Sequence, residues 1–129
     1  MITSVTHFTL FVHDQNAALD FYTNKLGFIV HTDAQFGPDM RWLTICTPDI
    51  RTFEIALMLA ENPEEQALVG KQAGEKPLLA FEVKDCHAAY ESMKQNGVNF
   101  LDTPKEEPWG ISMTCTDLYG NRLYLVEQK

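Results

Sequence analysis

The chain of 129 residues is short of cysteine, of basic residues and of long apolar runs. Its three cysteines, Cys46, Cys86 and Cys115, are odd in number and show no CxxC spacing. That excludes a disulfide scaffold and a zinc knuckle, and points to reduced thiols in a cytoplasmic protein. Ten Lys and Arg stand against 18 Asp and Glu, a formal net charge of -8. Such a surface repels phosphate backbones and anionic lipid, so neither nucleic acid nor a membrane is expected as a partner. No apolar run approaches the roughly 18 residues of a membrane helix. The opening Met1-Ile2-Thr3-Ser4-Val5-Thr6-His7 has no basic stretch of the kind that starts a secretory signal. Glycine-rich phosphate loops, nucleophile elbows and HExxH are absent too, which removes the chemistries those motifs support. What remains is ordinary globular composition, 45% hydrophobic and 22% charged, at a length that favours one domain with its own core.

The chain repeats itself. From His7 it reads HFTLFVHDQNAALDFYTNKLGF, and from Leu78 LLAFEVKDCHAAYESMKQNGV. Val12 falls on Val83, Asp14 on Asp85, Ala17-Ala18 on Ala88-Ala89, and Gly27 on Gly97 after one deletion. Each copy opens with alternation that suits a half-buried strand. An aspartate follows where a helix N-cap is wanted, because its carboxylate accepts from the first free N–H groups. Ala18, Tyr22 and Leu26, and Ala89 with Met93, then keep helical spacing, and a glycine closes each helix. The second parts also align: RWLTICTPDIRTFEIALML over ISMTCTDLYGNRLYLVEQ makes Cys46 and Cys115 equivalent. Turns at Pro48-Asp49 and Tyr119-Gly120-Asn121 each precede a strand. Each half is predicted as one strand, one helix and three strands. Asn62-Pro63-Glu64 predicts the cap of a short helix in the acidic connector.

The opening HFTLFVHDQNAALDFYTNKLGF, the late DLYGNRLYLVE and the duplicated unit resemble the vicinal-oxygen-chelate superfamily, which includes glyoxalase I, extradiol dioxygenases, methylmalonyl-CoA epimerase and the bleomycin and fosfomycin resistance proteins. The resemblance implies a glyoxalase-like α+β fold, two tandem βαβββ modules whose strands form a cup-shaped mixed sheet. Residues 1–129 would form a single domain, made of a module 1–59, a connector 60–76 and a module 77–129. It also implies a homodimer. Carried onto this chain, the family's metal positions are His7, Glu54, Leu78 and Tyr124. His7 and Glu54 suit a divalent ion such as Zn, Ni, Mn or Fe. Leu78 coordinates nothing, and Tyr124 is a poor ligand. The metal site is therefore at most partial, and no cofactor is the first expectation.

Alternation places His7, Thr9 and Phe11 on one face of their strand, and Phe8, Leu10 and Val12 on the other, which belongs under the helices. Glu54 shares a face with Ala56 and Met58. A carboxylate on a cavity wall needs a partner, and His7 is the natural one. The rest of the expected ligand wall is Phe11, Trp42, Met58, Leu78, Trp109, Met113 and Tyr124, aromatic and adaptable side chains of the kind that hold a small organic molecule. Met113 and Cys115 are taken to share one face. His13 and His87 flank helix caps, and His31 stands alone after the second strand. No role is expected for them.

Three functions follow. The first is a binder of an aromatic or amphipathic small molecule. The second is a lyase, isomerase or epimerase in which Glu54 and His7 are the catalytic pair, with a divalent metal or as acid and base. The third is an interaction module whose cup is closed by packing.

Overall fold

The computed structural model describes residues 1–129, which divide into two compact units, Met1–Val69 and Gly70–Lys129. The chain runs through β1 (His7–Val12), α1 (Gln15–Asp20), a π-helical turn (Phe21–Lys25), β2 (Ile29–Phe36), β3 (Met40–Cys46), β4 (Glu54–Leu59) and α2 (Pro63–Leu68) in the first unit. The second holds β5 (Pro77–Glu82), α3 (Cys86–Gln95), β6 (Asn99–Phe100), β7 (Lys105–Glu107), β8 (Gly110–Thr116) and β9 (Arg122–Gln128). No helix is long and apolar enough to cross a membrane.

Each unit is one mixed sheet with a helix on one face. The first sheet has the order β1-β4-β3-β2, with β1 and β4 parallel and the other pairs antiparallel. The helix starts where the sequence puts it. Asp14 accepts from the Ala17 N–H at 2.9 Å, and Gly27 ends the segment at φ 81°, a conformation that costs glycine nothing. Gln15 ties the first turn to the sheet, donating to the carbonyls of Leu57 at 2.8 Å and Arg41 at 3.2 Å. The π turn brings the consecutive Phe21 and Tyr22 both into the core, where Tyr22 meets Phe28 edge-on at 5.6 Å. Leu10, Val12, Leu43, Ile45, Ile55 and Leu57 are buried on the same side. Truncating any of the leucines to alanine removes about 2–5 kcal/mol. Asn62 caps α2 by accepting from the Glu65 N–H at 2.8 Å, and this helix belongs to the first unit.

The second sheet has the order β5-β9-β8-β6, with β7 also paired to β8. Asp85 caps α3 through the Ala88 N–H at 3.0 Å. The β8–β9 turn is held by Asp117, whose Oδ1 accepts from the N–H groups of Tyr119 and Asn121, each at 2.9 Å. One strand predicted here is two short ones. Pro104 has no N–H to give a ladder, and the Asp102 carboxylate takes the Thr114 N–H at 2.7 Å in place of a strand carbonyl.

The register corrects a second expectation. Thr44 stands beside Ala56, so Cys46 lies on the face that carries Glu54. Thr114 stands beside Tyr124 and Cys115 beside Leu123, so Cys115 lies on the face opposite Tyr124. The two cysteines are not equivalent. The shared threonines and cysteines suggested an alignment one residue out, and one residue in a strand reverses the face.

Candidate functional site

In the first unit the strand register gathers one face. His7, Thr9 and Phe11 of β1 lie beside Glu54, Ala56 and Met58 of β4, and Thr44 of β3 lies beside Ala56. Trp42, two residues from Thr44, shares that face and meets the His7 ring edge-on with centroids 5.5 Å apart. Phe11, Trp42 and Met58 are half-buried there.

Glu54 is the centre of this face. Its side chain is 14% exposed and has a polar neighbour at each oxygen. His7 Nε2 lies 3.1 Å from Oε2. The Thr44 hydroxyl donates to Oε1 at 2.7 Å, and His31 Nδ1 lies 3.0 Å from the same oxygen. The expected His7–Glu54 pair is present. His31 was given no role, and the structure brings it to the carboxylate.

His31 sits at a β-bulge, on the face where alternation from Ile29 puts it. Ile29 pairs with Cys46 and Val30 with Ile45, but the next pair is Thr32 with Thr44, and His31 is the extra residue. By alternation His31 returns to the face of Ile29. The bulge then restarts the ladder with Thr32 on that same face, beside Thr44. A histidine within a threonine-flanked strand was the only sequence signal. The Thr32 hydroxyl lies 2.9 Å from His31 Nδ1, and the Thr6 hydroxyl 2.8 Å from His7 Nδ1.

The second unit has no comparable polar centre. Ala80, not Leu78, lies in register with Tyr124, because the ladder shifts between Pro77 and Leu79. The Tyr124 hydroxyl accepts from the Trp109 indole at 2.8 Å, and Trp109 is 55% exposed. Met113 was expected on the same ligand wall as Tyr124. It is fully buried and paired with Leu125, on the opposite face, since β8 alternates Met113 away from Thr114. The residues do not fit a metal ion. No group of three His, Cys, Asp or Glu side chains is arranged to hold one.

Burial pushes the Cys115 thiol up to about 12, helped by Asp117. It also raises the Cys86 thiol, with Glu127 adding to the effect. Neither is a nucleophile. All three cysteines are buried and free.

Residues 4–125 match the model of the glyoxalase/bleomycin resistance protein/dioxygenase superfamily. The chain belongs to that superfamily. An uncharacterised protein of Shewanella frigidimarina is 34% identical over 122 residues, covering 94% of this chain and 90% of its own. The crystal structure of UcmS2 superposes with a TM-score of 0.87 at 32% identity, covering 99% of this chain and all of the other. TnmS3, an antibiotic binding protein from Streptomyces sp. CB03234, gives a TM-score of 0.80 at 28% identity, over 99% of this chain and 98% of its own. The superfamily fold, α+β with two mixed sheets, is the one that the duplicated sequence implied.

Proposed function

We propose that this superfamily member is a cytoplasmic, homodimeric binding protein for a small aromatic or amphipathic organic molecule, acting without a complete metal site. The observation that carries the reading is the state of Glu54. The Thr44 hydroxyl donates to it and two imidazoles lie within 3.1 Å, so it serves as a fixed polar anchor within an apolar wall. Phe11, Trp42 and Met58 supply that wall in the first unit. Such a wall with a few fixed polar groups suits an organic ligand. Leu78, Trp109 and Tyr124 are proposed as further ligand contacts. The likeness to an antibiotic binding protein supports the reading. The buried free thiols support a reducing compartment.

The test is a thermal-shift screen of aromatic and amphipathic compounds in EDTA, on wild type and Trp42→Ala. A saturable rise in melting temperature for wild type, reduced in the variant, is expected. No rise for any compound would overturn the reading.

A second reading is a divergent lyase, isomerase or epimerase, favoured by the 3.1 Å pair of His7 and Glu54, which has the form of an acid–base couple. It requires glyoxalase or epimerase turnover that is lost in both His7→Ala and Glu54→Gln.

A further inference from the structure

Apart from the Glu54 face, the second unit holds an open groove of about 360 Å³, within the size range of small-molecule sites. Its walls follow from how α3 ends. Tyr90 and Lys94 are four residues apart and share one face of the helix. Gly97 takes φ 87° and turns the chain back, with the Gly97 and Val98 N–H groups donating to the carbonyls of Lys94 and Met93, each at 3.0 Å. That turn brings β6 against Tyr90. Phe100 stands beside Cys115, on the side of the sheet opposite Tyr124, and meets the Tyr90 ring edge-on at 4.8 Å. Buried Val98 and half-exposed Leu101 complete an apolar lining.

One end of this groove suits a negative charge. The Lys94 ammonium donates to the Tyr90 hydroxyl at 3.1 Å. An ammonium has three hydrogens, and a phenol that accepts still has its own to give. Donors from both side chains therefore lie together beside the aromatic pair. Asp102 also borders the groove, but its Oδ1 takes the Thr114 N–H and its Oδ2 lies 3.6 Å from the Lys105 ammonium, so its charge is offset. Glu91 precedes Lys94 by three residues on the same helix and the chain carries -8, which favours a singly charged anion over a phosphate dianion. From this groove we infer a second ligand site, separate from the Glu54 face, that binds a small aryl carboxylate. The carboxylate takes the Lys94 ammonium and the Tyr90 hydroxyl, and the ring packs on Phe100 and Leu101. The site stands on its own residues and holds or falls independently of the binding reading above.

Backbone amide NMR titrations with 2-naphthoate, 2-naphthamide and acetate test it, since these offer ring and charge, ring alone, or charge alone. 2-Naphthoate is expected to shift the amides of Lys94, Asn99, Phe100 and Leu101 saturably. It should bind there about fivefold more tightly than either of the others, the size of one exposed ion pair. In Lys94→Met, a change at an exposed side chain, the preference for naphthoate over naphthamide should fall below about twofold. Trp42→Ala should leave the four shifts and their affinity unchanged. No saturable shift at these amides overturns the inference. So does naphthamide or acetate bound as tightly as naphthoate, a preference that survives in Lys94→Met, or shifts that vanish in Trp42→Ala. The comparison of the three compounds on wild type needs no variant.

Discussion

Removing the Glu54 carboxylate should cost the first unit stability, and most of that cost should come from Thr44 rather than from the histidines. Thr44 is fully buried and its hydroxyl donates to Glu54 Oε1 at 2.7 Å. In Glu54→Ala that hydroxyl is stranded away from water, which costs about 1–3 kcal/mol. The His7 and His31 side chains are 39% and 32% exposed, so water replaces the carboxylate and each pair contributes at most about 1 kcal/mol. Glu54→Ala should therefore lose about 2–4 kcal/mol in all. Glu54→Gln should lose less than half as much, because its amide oxygen still accepts from Thr44. A double-mutant cycle in urea, read by fluorescence of Trp42 and Trp109, separates the contributions. The Glu54–Thr44 coupling, using Thr44→Val, should be about 1.5–3 kcal/mol, and the Glu54–His7 coupling below about 1 kcal/mol. A total loss under about 0.5 kcal/mol, or a histidine coupling larger than the threonine coupling, would refute the reasoning.

The thiols should be silent. Native protein at pH 8 should leave an aromatic disulfide reagent unreacted over minutes, and urea should release three thiols per chain. Because the folded Cys115 pKa is raised to about 12, its contribution to stability is fully present below the ordinary thiol range and is lost as pH climbs toward that value, so the melting temperature should fall above about pH 9. A flat alkaline profile in wild type, matched by Cys115→Ala, would contradict this. Asp33 is held below the usual carboxylate range by its hydrogen bonds from Arg41, at 3.0 and 2.9 Å. Its contribution is present above the ordinary carboxylate pKa and lost as pH falls through the lowered value. The pair is largely exposed, so acid titration of wild type against Asp33→Asn should differ by less than about 1 kcal/mol, and less still in high salt. Gly70 has φ 78°, and a Cβ there would lie 2.1 Å from the Tyr119 carbonyl oxygen. Gly70→Ala should cost more than about 2 kcal/mol by thermal melting, whereas Gly74→Ala, which meets nothing within 4 Å, should cost less.

Much of the fold was legible because its local signals agree with its packing. Asp14 and Asp85 are the caps, Asn62 is the third, and Gly27 and Gly97 take positive φ where the helices end. In β1 and β4 alternation holds without a break, so the face shared by His7, Phe11, Glu54 and Met58 could be read from spacing alone. The misses have different causes. His31 lies on the Glu54 face by alternation, but its partner is on another strand and nothing local to His31 announces the contact. In β8 the correct strand was found, but the resemblance of two Cys-Thr segments set the wrong parity and put Met113 on the wrong face. The Trp109–Tyr124 hydrogen bond joins the start of β8 to β9, and such long-range polar pairs leave no periodic trace.

The central claim is that the face around Glu54 holds an organic ligand and not a metal ion. Imidazole and indole nitrogen NMR spectra test it most directly. The protein would be titrated first with one equivalent of Zn²⁺ and, in a separate sample, with an aromatic compound that raises the melting temperature. That compound should move the Trp42 indole resonance while zinc leaves the nitrogens of His7 and His31 in place. Zinc that shifts the nitrogens of both histidines at one equivalent, with no response of Trp42 to any such compound, would contradict it.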